Sequence, residues 1–122
     1  MALVQTSNEL NAILENAMVG IAFIKNRHII RVNNKFEQLF LFPREDIEGQ
    51  STLCLHPSEE AFKRFGDQAY NALSEAENFE AQVEMKRANG EKFWCAVAGQ
   101  VIDPENPSEG SIWLYEDVTN QR

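Results

Sequence analysis

With 122 residues, 43% of them apolar, the chain has material for one hydrophobic core and too little for two. Nineteen acidic residues against eleven basic ones give a formal charge of −8, and no Lys/Arg cluster is interleaved with aromatics, which argues against nucleic acid as a partner. No run approaches the length of a membrane span, no secretory succession opens the sequence, and Cys54 and Cys95 resemble neither a disulfide framework nor a zinc site, so a reducing, cytoplasmic setting is the expectation.

Thr6 and Glu9 have capping-box spacing, and Leu10, Ile13, Leu14 and Ala17 repeat at helical intervals, which predicts an N-terminal amphipathic helix within residues 1–18. Val19 to Ile24 is rich in β-branched and aromatic residues, Lys25 to His28 reads as a turn, and Ile29 to Val32 as a second strand. Asn33 or Asn34 can cap a short helix carrying Phe36, Leu39 and Phe40, and Pro43 suits the start of another, Arg44 to Ile47, ended by Gly49. After an irregular passage, Ser58 or a neighbour opens a longer helix with Phe62, Phe65, Ala69 and Leu73 on one face. Gly66 sits inside that helix at a cost of about 1 kcal/mol relative to alanine.

Phe79, Ala81, Val83 and Met85 then alternate with Glu80, Gln82, Glu84 and Lys86, the period of a strand with one buried face. A second apolar run, Phe93 to Ile102, follows Asn89-Gly90, a pair suited to a tight reversal. A proline-containing loop and a last strand, Ser111 to Val118, complete the chain. Two strands, several helices and three strands predict an α+β fold: a five-stranded antiparallel sheet with helices over one face.

Gly20-Ile21-Ala22-Phe23, Val32-Asn33-Asn34-Lys35-Phe36, Phe42 to Gly49, Asn89-Gly90 with Phe93-Trp94, and the closing Asp117-Val118-Thr119 resemble the PAS sensory domain family. The likeness runs from about Leu10 to Thr119, with the PAS domain at 19–119 and residues 120–122 as the start of a linker. It implies a signal-input or dimerisation module of a bacterial signalling protein, commonly coupled to a histidine kinase or a diguanylate cyclase. The run from Pro57 through Phe65 to Trp94-Cys95 looks most like the versions joined to cyclic-dinucleotide enzymes. In this resemblance Asp117, Val118 and Thr119 form the signal exit toward an output domain beyond Arg122; the alternative is that Asp117 and Thr119 merely cap the next segment of the chain.

The family's cofactors must be tested at their own residues. Flavin photosensors carry an Asn-Cys pair two residues after the glycine matching Gly49; Ser51 and Thr52 stand there, and Cys54 falls two positions late. Haem sensors draw an axial histidine from the middle of the long helix, near Arg64 or Phe65, where this chain has none. His56, before Pro57, reads as a capping or surface residue, and His28 as a solvated turn residue. Flavin and haem are therefore not expected, and the cofactor stays open.

Catalytic signatures are missing too: no Gly-rich phosphate loop, nucleophile elbow or metal spacing appears. Glu45 and Asp46, about 100° apart on a helix, suit a solvated face better than an acid/base pair. The chain alone is not expected to be an enzyme.

A mostly apolar pocket lined by Phe23, Phe36, Phe40, Phe62, Phe65, Val83, Met85, Cys95, Trp113 and Tyr115 would take a small apolar or aromatic ligand, and a dry core is the equal alternative. Tyr115 matches the place where flavin sensors keep a signalling glutamine. The hairpin register is open on residue grounds. A two-residue turn pairs Met85 with Trp94, whereas a three-residue loop ending in a glycine bulge pairs Val83 with Cys95 and turns Trp94 outward. The resemblance favours the second. Trp94, Ala96, Ala98, Ile112 and Leu114 then form an outer apolar patch, to be covered by the N-terminal helix, a second subunit, or both. Two readings result: a ligand-responsive homodimeric sensor, or a constitutive dimerisation scaffold with a filled core.

Overall fold

The computed structural model describes residue 9 and residues 12–75 and 77–121. Two strands open the fold, β1 (Gly20–Lys25) and β2 (His28–Val32). Three helices come next, α1 (Asn34–Phe40), α2 (Arg44–Ile47) and α3 (Glu59–Ser74), and then β3 (Phe79–Lys86), β4 (Lys92–Val101) and β5 (Ser111–Asp117). Every strand pairing is antiparallel, and the spatial order is β2-β1-β5-β4-β3. The first and last strands in sequence thus meet at the centre of the expected five-stranded sheet.

Local chemistry accounts for the element ends. Asn33 caps α1 by accepting from the Phe36 N–H at 3.0 Å, and its carboxamide also accepts from Ile21 N–H and donates to the Leu14 and Val19 carbonyls. One buried side chain therefore ties the residues before β1 to the sheet and to α1. Ser58 caps α3 through the Ala61 N–H. Residues 12–16 are helical and Leu14 is buried, while Ile13 is 66% exposed. Thr6 and Leu10, on which the N-terminal helix expectation also rests, lie outside the described residues.

The β3–β4 hairpin takes the three-residue loop. Gly90 N–H donates to the Arg87 carbonyl, Arg87 N–H to the Glu91 carbonyl, and Gly90 has φ +89°, the left-handed conformation that a glycine bulge requires. Val83 consequently faces Cys95 and Met85 faces Phe93. From this register the inner face receives Met85, Cys95, Val97, Trp113 and Tyr115, which join Phe36, Phe40, Ala69 and Leu73 of the helices in one core. Cys54 and Cys95 are unpaired, and burial pushes the Cys95 thiol up to about 12, the behaviour of an inert core residue.

Candidate ligand-binding site

Nine of the ten residues expected around a pocket fall into three groups. Phe36, Phe40 and Tyr115 pack ring against ring at centroid distances of 4.6 to 5.5 Å, with Phe93 closing on Phe40. Met85 and Cys95 are buried in the same core, so this half is filled by side chains. Trp113 lies in a second aromatic cluster with Phe65 at 5.6 Å, Phe79 and Tyr70, and Val83 packs half-buried against the core. Phe62 belongs to a third environment, beneath Arg27 and beside His56.

Phe23 does not join them. It sits on the outer sheet face, half-buried and opposite Ile112, while Ala22 and Ile24 point inward. Space decides the parity: α1 crosses so close to β1 that a Cβ on Gly20 would lie 3.2 Å from the Phe36 Cα, and the neighbouring inward position holds alanine. A phenylalanine has no room at those two positions of β1.

His56 is likewise not a surface residue. It is 3% exposed, with its ring 5.1 Å from Phe65 and 5.7 Å from Phe62. Burial, with the Arg27 charge adding to it, lowers its pKa to about 4, so the imidazole is neutral at physiological pH. Among the described residues no group of three or more His, Cys, Asp or Glu could hold a metal ion.

Arg27 organises this region. Asn26 and Arg27 both adopt left-handed φ, 53° and 61°, which closes the β1–β2 hairpin in a two-residue turn and carries the Arg27 side chain back over α3. Its guanidinium carbon stands 3.5 Å from the Phe62 ring centroid and 5.6 Å from that of Tyr70. Gly66 makes room: a Cβ there would lie 2.4 Å from Arg27 Nη1. Burial lowers the guanidinium pKa, opposed chiefly by Tyr70, and burial raises the Tyr70 phenol, opposed by Arg27 and Ser111. Beside these groups opens a cleft of about 480 Å³ between the β1–β2 turn, the C-terminal half of α3 and the β4–β5 loop. Ile24, Leu73, Val101 and Pro107 give it apolar walls, and Arg27, Tyr70 and Ser111 bring polar groups to it. Ser111 is fixed by the Trp113 indole N–H at 2.8 Å. That volume falls within the range of small-molecule sites. Sequence reasoning missed Arg27 and Tyr70; a glycine inside α3 was the visible sign that something needs space there.

Asp117, Val118 and Thr119 come together beside the hairpin. The Asp117 carboxylate accepts from Arg87 Nη2 at 2.7 Å and from the Thr119 N–H at 2.9 Å. Partial burial opposes its ionisation, but the Thr119 and Arg87 contacts prevail and hold its pKa below the usual value. Val118 is buried and donates to the Trp94 carbonyl, and the Trp94 N–H donates to Thr119 Oγ1. Arg87 also bonds the Leu39 carbonyl at the end of α1 and stacks 4.0 Å over Phe93.

Residues 17–120 match the family described as PAS domain. The chain belongs to the PAS domain family. Its PAS domain is 30% identical over 110 residues to the sensor protein TdiS of Thauera aromatica, covering 90% of this chain and 20% of that protein. Among solved structures, it is similar to the PAS domain, in complex with ethanol, of a LuxR-family transcriptional regulator from Burkholderia thailandensis. The TM-score there is 0.78 at 30% identity, covering 88% of this chain and 95% of that one. A PAS domain from Colwellia psychrerythraea superposes with a TM-score of 0.83 at 19% identity, over 98% of this chain and 99% of that one, a likeness of fold.

On the outer face of the PAS sheet, Trp94, Ala96, Ala98 and Ile112 are half-buried and Leu114 is exposed. Register brings them side by side, Ala98 opposite Leu114 and Leu114 opposite Ile21. Glu80, Gln82 and Glu84 border this apolar strip on β3. No helix among the described residues is long and apolar enough to cross a membrane.

Proposed function

We propose that this PAS domain is the signal-input module of a bacterial signal-transduction protein, binding a small ligand in the Arg27–Tyr70 cleft and relaying its occupancy to a C-terminal output enzyme. In this reading the output enzyme is a histidine kinase or a diguanylate cyclase. The observation that carries the reading is an open cleft of about 480 Å³ at the margin of the core, with apolar walls and the polar groups of Arg27, Tyr70 and Ser111. It also meets β5 at Ser111, six residues before Asp117 at the other end of the strand. The relay is a population shift: a ligand that binds one packing of β5 against α3 better than another biases the exit at Asp117 to Thr119. The kinship with a sensor protein supports this reading, although the chain spans only 20% of that relative's length. In the same reading the domain acts in the cytoplasm as a homodimer and is not itself catalytic. The outer strip of Trp94, Ala96, Ala98, Ile112 and Leu114 supplies the apolar surface a partner subunit would cover.

A second reading, a constitutive dimerisation scaffold, is favoured by one observation: the ring cluster of Phe36, Phe40, Phe93 and Tyr115 fills the half of the expected pocket around it. Native mass spectrometry of protein purified from its own host separates the two. The sensor reading expects a small molecule that leaves on denaturation, and protein that carries nothing and whose melting temperature no compound shifts returns the scaffold.

A further inference from the structure

Resting on the ligand-sensing reading, we propose that the cleft takes a small monocarboxylate with an apolar body, its carboxylate meeting the guanidinium of Arg27. The chain carries nineteen acidic residues, yet Arg27 has no carboxylate within ion-pair distance among the described residues. Arg44 and Arg87 each have carboxylate partners. Asp67 acts on Arg27 only at longer range, the Arg27 side-chain hydrogen bond goes to the neutral Tyr70 phenol, and the Arg27 Nε–H is buried with no hydrogen-bond partner.

Arg27 is half-buried, and a cation partly withdrawn from water without a counter-ion is costly, the usual remedy being a partner charge. Here the sequence holds the arginine in place by other means: a left-handed turn residue, aromatic faces, and a glycine where any side chain would collide with it. Such an arrangement fixes the guanidinium without neutralising it, which leaves its charge for a ligand. A planar fork of donors is matched to a carboxylate.

The walls set the rest of the class. Ile24, Leu73 and Val101 are apolar and suit a hydrocarbon or aromatic body. Lys25, the other cation of the turn, is paired with Glu109 at 3.6 Å and does not line the cleft, so Arg27 is the one cation among the cleft's lining residues and one negative charge suffices.

The test is calorimetric titration of the 122-residue chain with benzoate and hexanoate against the neutral benzamide and hexanol, repeated on Arg27→Met and Gly66→Ala. The proposal expects at least one carboxylate to bind about 10- to 100-fold more tightly than its neutral counterpart, the contribution of a charge-assisted hydrogen bond. Arg27→Met should remove that difference, and Gly66→Ala, which displaces the guanidinium, should reduce it. Equal binding of neutral and charged probes overturns the proposal while leaving a ligand-binding cleft, and so does a preference that survives Arg27→Met. Absence of binding by all four probes overturns the proposal and removes this cleft from the ligand-sensing reading as well. The wild-type comparison needs no variant to fold.

Discussion

At the scale of single residues, Asn33 and His56 show how much one buried polar group decides. Asn33 makes four hydrogen bonds from a nearly inaccessible position, two as acceptor and two as donor. Asn33→Ala removes a helix cap and orphans two carbonyls and two N–H groups, and urea denaturation should register a loss of about 3 kcal/mol. His56 works through pH. Below about pH 6.5 the unfolded chain takes up a proton at this residue, which the folded chain refuses until about pH 4. Its contribution is therefore intact above pH 6.5 and is withdrawn as pH falls toward 4, by up to about 3 kcal/mol. Denaturation at pH 7 and pH 4.5 should show a larger loss for wild type than for His56→Gln; equal losses would count against a buried neutral imidazole. The cap at Asn33 was legible because capping needs only local sequence. His56 was not, because His-Pro is a turn signal, and its neutral buried state depends on the rings of Phe62 and Phe65 and on the charge of Arg27, which arrives from the β1–β2 hairpin.

Elements were legible where their pattern is periodic or their turn is chemically specific. The alternation along β3 and the Asn89-Gly90 turn led to a hairpin whose observed register turns Trp94 outward. In β1, by contrast, Ile21 to Ile24 is apolar at every position, so nothing in the pattern says which face is inner, and Phe23 was assigned to the wrong one. Proximity of α1 to Gly20 settles that choice, a contact between different elements. The same limit hid Arg27, whose place over α3 is set by Phe62 and Gly66 some forty residues away. Beside the end of β5, Arg87 binds the end of α1, the hairpin loop and Asp117 through one guanidinium. Arg87→Met should cost about 2 kcal/mol and speed amide exchange at Val118 and in the Thr119–Gln121 turn more than in α3. Exchange that rises equally in α3 would mean that Arg87 supports the whole fold rather than the segment after β5.

For the whole molecule, the sheet presents one face to its helices and leaves an apolar strip on the other, while the cleft opens at the margin of the packed core. If the strip is the surface of a homodimer, Trp94→Glu places a charge in its middle, and sedimentation equilibrium should record dissociation at concentrations where the wild type is dimeric. An unchanged dimer would move the interface elsewhere. Fold and family were readable from the sequence because caps, turns and strand periods agree with one another. The cleft was not, since it lies between a turn, a helix face and a loop distant in sequence. A PAS domain that responds to a small molecule is stabilised by it. The most direct measurement is its melting temperature across a library of small carboxylates and neutral apolar compounds, each titrated over its concentration range. A ligand of the native cleft raises the melting temperature with the logarithm of its concentration, stabilising the fold by RT ln(1 + [L]/Kd), and does so less in Arg27→Met. A library in which no compound shifts the transition would rule out a small-molecule sensor and leave a filled-core dimerisation scaffold.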